Sequence, residues 1–373
     1  MVNSAASTQY QIKIEQESQT LLLEPLPMSG GRVVPASYLD LVRHVHEGTP
    51  APIGLKNIKL ISDEPRGLEP RIGTVSFGMS PKYRSNTFVL VEGGWILPGP
   101  WVDMDLVMLD RNIVIDLERL PSKRAEPFVC PQSFWADLLG MCSSECNLLS
   151  FALEGRTVQK PGLQSFLDEV GRAYRAAYRL FPQEQLSPFD AERLRGGIGL
   201  IRDFERYFKK ASAFLGRVLP MLAKPIPANE RFSTFLRIGQ AAKASEFANS
   251  EPIVLLAISC LYDAAGGRHL RKPINPGREI LKPSKPNHYN AAFDAWLLEL
   301  VIGGNAISIG KRIGLATKDK GLAALWCLLE PREFRIENGV PRASITLSQL
   351  LFPAMPDKQF DRFIEELRQR QEF

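Results

Sequence analysis

The sequence predicts an α/β fold: a parallel sheet flanked by helices, with a β-rich region ahead of it and a helical insertion within it. Three observations predict this. The run DLVML at 105–109 is short, apolar and closed by Asp110, as a buried strand would be, and a helical pattern follows it. The run IGLAT at 313–317 repeats that grammar, with a turn at 317–320 and an apolar helix behind it. Between the two, apolar residues recur every three to four positions, the period of helices packed on a core. Strands alternating with helices point to parallel pairing.

Residues 1–100 read mainly as strands. QYQIKIE alternates polar and apolar residues, and TLLLEPL, LKNIKLI, GTVSFGM and TFVLVEGGWIL are short runs bounded by Gly, Pro, Asn and Asp. One helix interrupts them, with Ser37 as its N-cap and Tyr38, Leu41, Val42 and Val45 as its apolar stripe. This part is expected to be an accessory region. The core is expected over 101–330. Within it, FWADLLGMCSSECNLLSFALEG reads as helix ending at Gly155, and the insertion spans about 160–250. That insertion holds helices at 161–181, 188–219 and 229–247. A buried helix over 251–267, a loop over 266–287 and a helix over 288–304 follow. The tail, 331–373, is expected to add a strand at 343–347 and a charged helix.

Composition narrows the function classes. With 45% apolar and 23% charged residues, the chain is an ordinary globular one with ample core material. Its net charge of +5 suits a polyanionic partner without requiring one. Five cysteines, Cys130, Cys142, Cys146, Cys260 and Cys327, are too few and too scattered for a disulfide framework. Cys142 and Cys146 lack the second ligand pair that a zinc site needs, so buried thiols are the better reading. The N-terminus has no basic and apolar leader pattern, and no uncharged apolar run reaches bilayer length, so no membrane partner and a cytoplasmic location are expected. His44, His46, His269 and His288 have no ligand or triad spacing, and no nucleophile elbow, Walker loop or dinucleotide fingerprint is present.

Chemistry is carried by four carboxylates. Asp110 ends one buried strand and Asp319 follows the other, at the strand ends beyond which α/β sheets bind ligands. Glu154 lies in the last turn of an apolar helix. Asp294 lies in the first turn of another, beside Phe293, Leu297 and Leu300. An unpaired charge next to such apolar sequence is costly, and four that converge raise one another's pKa unless a cation neutralises them. Oxygen ligands of this kind suit Mg²⁺ or Mn²⁺, which activate water and polarise a phosphoryl oxygen without a protein nucleophile. Taken singly, Asp110 could cap a helix and Asp319 could hold a turn.

The order strand–Asp–x–Asn, helix–Glu, helix–Asp, strand–Thr–x–Asp resembles the PIN-domain nucleases, in particular the large bacterial PIN-like proteins with helical insertions. VMLDRNIVIDL looks like the family's first strand, with its acid at Asp110 and its asparagine at Asn112. SFALEG, YNAAFDAWLLEL and ATKDKGLAALW place Glu154, Asp294 and Asp319 like the later acids, and Thr317 like the hydroxyl residue before the last of them. The resemblance covers about 101–330. Arg111 departs from it, standing where the family often has a small hydroxyl residue, as do Lys318 and Lys320 around Asp319. Asp263 rivals Asp294 for the third position. The resemblance implies a metal-dependent phosphodiesterase, an endoribonuclease with a toxin, RNA-processing or phage-defence role. Asp110, Glu154, Asp294 and Asp319 would then bind metal, with Asn112 and Thr317 orienting ligands or water. An inhibitor or regulatory protein would be a natural partner.

Basic residues supply candidate substrate contacts, with RNA favoured over DNA. The loop GGRHLRKPINPGREILKPSKP carries Arg268, Arg271, Lys272, Arg278, Lys282 and Lys285, and could track a phosphate backbone together with Lys318 and Lys320. Arg172, Arg175 and Arg179, interleaved with Tyr174 and Tyr178, form a stripe that could stack single-stranded RNA, although a solvated or salt-bridged helix face explains it better. Two other readings remain open: a catalytically silent nucleic-acid-binding or scaffold protein, in which Arg111, Lys318 and Lys320 replace the metal charge, and a structure-specific DNA nuclease.

Overall fold

The computed structural model describes residues 12–16, 19–23, 32–62, 71–78, 87–99, 102–119, 144–155, 161–179, 181, 183–224, 226–262, 288–308 and 310–369. An antiparallel sheet comes first. It is built from β1 (Ile12–Gln16), β2 (Gln19–Leu23), β3 (Arg32–Val34), β4 (Pro52–Ser62) and β5 (Arg71–Gly78), in the order β1-β2-β4-β3 with β5 also on β4. Between β3 and β4 runs α1 (Tyr38–Val42). Ser37 caps it in a reciprocal box with Asp40, which satisfies two backbone donors at once.

The second sheet holds the core. Its strands are β6 (Phe88–Val91), β7 (Gly94–Ile96), β8 (Leu106–Leu109), β9 (Glu145–Asn147) and β10 (Ile313–Thr317), in the order β7-β6-β10-β8-β9. β10 is central and buried along its whole length. It runs parallel to β8, which runs parallel to β9. The sheet is mixed, however, because β6 pairs antiparallel with both β10 and β7. This corrects the expectation of a parallel sheet. The tight turn at Glu92–Gly93 folds TFVLVEGGWIL into a hairpin, and the hairpin completes the core sheet. Trp95, fully buried, ties the two sheets together. Its backbone pairs with Ala36 and its indole N–H donates to the Ser37 carbonyl at 3.0 Å. The neighbouring Gly94 has φ +155°, and a Cβ there would lie 2.3 Å from the Ala36 oxygen, so only glycine permits this approach.

Helices follow and cover the sheet: α2 (Arg111–Arg119), α3 (Leu149–Glu154), α4 (Leu163–Ala177), α5 (Ala191–Leu222), α6 (Arg231–Ala244), α7 (Pro252–Tyr262), α8 (His288–Ile307) and α9 (Lys320–Leu329). The stretch read as one helix ending at Gly155 instead contains β9, whose Cys146 is buried on the sheet edge beside Leu186. Asn147 then turns the chain by accepting the Leu149 N–H at 2.9 Å, and among the described residues of this stretch 149–154 is the helical part. Asn305 near the end of α8 clips β10 in place, exchanging two hydrogen bonds of 2.8 and 2.9 Å with the Ile313 backbone. The tail is a hairpin, β11 (Pro331–Glu337) and β12 (Val340–Ile345), then α10 (Asp357–Gln369). Asn338 and Gly339 both have positive φ at its tip, the hairpin dipeptide that makes Pro331–Glu337 a strand. Among the described residues no helix is long and apolar enough to cross a membrane.

Candidate functional site

Two adjacent strand-to-helix corners form the floor of the site. At the first, β8 ends and Asp110 leads into α2. Its backbone N–H donates to the Ala316 carbonyl of β10, and its carbonyl opens the helix by accepting from Ile113 and Val114. At the second, β10 ends in Thr317, and Asp319 caps α9 by accepting the Gly321 and Leu322 N–H groups at 2.7 and 3.0 Å on Oδ1. Parallel pairing of β8 and β10 sets both acids at the same edge.

The corners are bonded to each other. Thr317, fully buried, donates its hydroxyl to Asp110 Oδ2 at 2.5 Å and accepts the Asp319 N–H at 2.9 Å. Asn112 donates to the same Asp110 oxygen at 2.8 Å and accepts the Lys318 N–H at 2.9 Å. Asp110 Oδ1 accepts the Arg111 N–H at 2.6 Å. Asp110 is 6% exposed, so these donors replace the water it loses.

Glu154 and Asp294 come from helices leaning over this floor. Ser150 of α3 donates to the Leu109 carbonyl at 2.5 Å, fixing α3 to the end of β8 and Glu154 above it. Tyr289 of α8 donates to the Glu154 carbonyl at 3.1 Å, joining the helix of Asp294 to that of Glu154. Asp294 lies in the second turn of α8, one turn later than the sequence suggested.

The four acids lie near enough to act on one another's charge. Asp110 is raised to about 6, first by burial and also by the charge of Asp319, against the lowering donors Thr317, Arg111 and Asn112. Glu154 is raised to about 8 by burial, then by Asp110 and Asp319, with Arg111 opposing. Asp294 is pushed well above the usual range by burial, then by Asp319, Asp110 and Glu154. Every pair among the four repels. Without a cation such a set holds protons at neutral pH instead of full charge. Among the described residues, however, no three His, Cys, Asp or Glu side chains are drawn together tightly enough to grip one ion as they stand. The donor set is hard carboxylate oxygen, the chemistry that suits Mg²⁺ or Mn²⁺.

The cations are organised around this set. Arg111 lies 4.8 Å over the Phe151 ring and reaches the Phe151 carbonyl and Glu169, each at 3.4 Å. Glu169, 3% exposed on α4, also accepts from Arg172 at 3.3 Å, and Arg172 forms a two-pronged pair with Glu118. Arg172 is thus part of an ion network, and Tyr174 is buried with its hydroxyl on the Ser187 carbonyl. At Arg172 this is the salt-bridged helix face that the sequence favoured over a stacking stripe, and among the stripe's aromatics Tyr178 is the exposed one. Lys318 pairs with Asp116, and Lys320 is half-buried in the first turn of α9. Asp263 and the basic loop residues Arg268, Arg271, Lys272, Arg278, Lys282 and Lys285 lie outside the described residues. Sequence reasoning missed Glu169, Glu118, Ser150 and Tyr289. Only Glu169 left a signal, a charge set on the apolar stripe Phe166, Val170, Ala173 of α4.

No family model, no curated protein and no solved structure matches the chain.

Proposed function

We propose that the protein is a metal-dependent nuclease of PIN-like type that hydrolyses phosphodiester bonds, with RNA as its preferred substrate. One observation carries this reading: four carboxylates from two strand ends and two helices repel one another pairwise in one largely buried place. A merely structural set of that kind would be costly, whereas a divalent ion repays it.

Asp110, Glu154, Asp294 and Asp319 would hold Mg²⁺ or Mn²⁺. The bound ion would lower the pKa of a water and neutralise charge building on a phosphoryl oxygen. Thr317 and Asn112 fix the Asp110 carboxylate from one side, leaving its approach direction set before any ligand arrives. Asp319 spends Oδ1 on the α9 cap, which leaves Oδ2 for a ligand. Arg111, held by Glu169 and Phe151, opposes the rise that burial and Asp110 impose on the Glu154 carboxyl. The biological setting that fits such an enzyme is a toxin, RNA processing or phage defence.

The test is Asp110→Asn and Asp319→Asn, assayed for Mn²⁺-dependent cleavage of RNA, single-stranded DNA and flap DNA, with Mn²⁺ titrated by calorimetry. Loss of cleavage and of metal binding in both variants is expected, with RNA cut fastest in the parent. A second reading, a silent nucleic-acid-binding module, is favoured by the open spacing of the acids and by the cation Arg111 beside them. It would be established by a parent protein that neither binds Mn²⁺ nor cleaves.

A further inference from the structure

The longest helix, α5, carries a row of cations unrelated to the carboxylates. Of its residues, seven are Arg or Lys and three are Asp or Glu. Arg195, Arg202, Arg206, Lys209 and Arg217 follow at intervals of seven, four, three and eight, which brings them to one face. All five are exposed. The opposite face, with Gly197, Ile201, Phe204, Phe214, Leu215 and Val218 among its members, is buried. Phe204 packs on Tyr289, Phe293 and Trp296 of α8 at ring distances of 5.0–5.4 Å, so the row points away from the helix of Asp294. From Arg195 to Arg217 it spans roughly 33 Å at helical rise.

Three further features define what would bind. Gly196, Gly199 and Gly216 stand near the row with nothing within 4 Å of where a Cβ would lie, so a bulky polyanion can approach the helix closely. Arg206 pairs with Asp203 and Lys210 with Glu246, whereas Arg195, Arg202, Lys209 and Arg217 have no ion pair among the described residues. No large apolar residue of α5 is among the exposed ones, and its Tyr207 and Phe208 turn inward on Phe247 and Tyr289. A membrane-surface helix needs exposed apolar residues, and a single-strand platform needs exposed aromatic ones. A long row of exposed cations on one helix face, with no exposed large apolar side chain beside it, instead fits a ladder of phosphates.

We infer that the outer face of α5 is a docking rail for the backbone of a nucleic-acid duplex, set on the far side of the helix from the carboxylate pocket. The choice of polyanion rests on the nuclease reading above. The docking itself does not involve the metal, and it should govern affinity and not the chemical step.

The test is fluorescence anisotropy in EDTA, so that cleavage plays no part and the two readings fail separately. The probes are a labelled RNA hairpin of two helical turns, the matching DNA duplex and an unpaired strand of equal length, across a salt series. The parent should bind a duplex more tightly than the unpaired strand, and the RNA and DNA arms identify the favoured sugar. Each neutralised contact should flatten the slope of log affinity on log salt by about 0.9, so R195Q/R202Q/K209Q/R217Q should flatten it by about 3.6. R202Q and R217Q alone, each removing one exposed head, should each flatten it by about 0.9, and R195K/R202K/R217K should bind like the parent. An unchanged slope in R202Q, R217Q and the fourfold variant would overturn the inference. So would an unpaired strand that binds better than either duplex, or phosphatidylserine vesicles that compete as well as duplex does.

Discussion

Thr317→Val tests the joint between the two corners. Valine keeps the shape of the side chain and removes a hydroxyl that donates to Asp110 at 2.5 Å and accepts from the Asp319 N–H at 2.9 Å. The position is fully buried, so no water replaces it. A hydrogen bond to a charged group contributes about 1.5–3 kcal/mol, and a buried N–H left without a partner costs about 1–3 kcal/mol. Asp110 counters part of this by taking up a proton, since Thr317 is the foremost of the donors that lower its pKa. The expected loss is about 2–4 kcal/mol of unfolding free energy in urea at pH 8, with Mn²⁺ affinity reduced as well. Thr317→Ser keeps the hydroxyl and should retain metal affinity while losing only the packing of one methyl, about 1 kcal/mol. A valine variant within about 0.5 kcal/mol of the parent, with the same Mn²⁺ affinity, would refute the idea that this hydroxyl couples the corners.

Four other outcomes are expected. Asp110 and Glu154 are raised, to about 6 and about 8, above their ordinary values of 3.8 and 4.5. Their contribution is therefore fully present below about pH 4, and it is lost as pH rises through about 6 and then about 8. Metal-free thermal midpoints should fall over that window, while Mn²⁺ should raise them more at pH 8 than at pH 6; a flat profile would argue against the cluster. Asp294→Asn relieves repulsion from three neighbours and should raise the metal-free midpoint at pH 8 while weakening Mn²⁺ binding in calorimetry. Glu169→Ala leaves Arg111 and Arg172 without their shared anion, and denaturant titration should show a loss of about 3–5 kcal/mol. Gly94→Ala puts a methyl group against the Ala36 carbonyl and should lower soluble yield, whereas Gly310→Ala, strained by its φ of +77° but with open space around it, should cost less.

Much of the floor of the site was legible because it is local. A buried strand that stops at an acid and turns into a helix is written in consecutive residues, so 106–119 and 313–329 could be read directly. The walls depend on packing. That Glu154 and Asp294 lean inward follows from Ser150 on the Leu109 carbonyl and Tyr289 on the Glu154 carbonyl, contacts between residues 41 and 135 positions apart that no periodicity encodes. The hairpin 88–96 was recognisable as strands, but its partner, β10, lies more than two hundred residues later. β9 is three residues long, too short for alternation to distinguish it from a helical turn. The Asn338–Gly339 turn was a local signal that the sequence reading passed over.

The position of β10 at the centre of its sheet bears on synthesis. Its neighbours β6 and β8 are made some two hundred residues before it, and until Ile313–Thr317 inserts between them each keeps a bare edge of backbone donors and acceptors. Synthesis must therefore reach Asp319 before Asp110 can meet it. A product cut short before Ile313 would leave the facing edges of β6 and β8 unpaired and Asp110 without its bonds to Thr317, so the corner that joins the two acids forms only after β10 has been made.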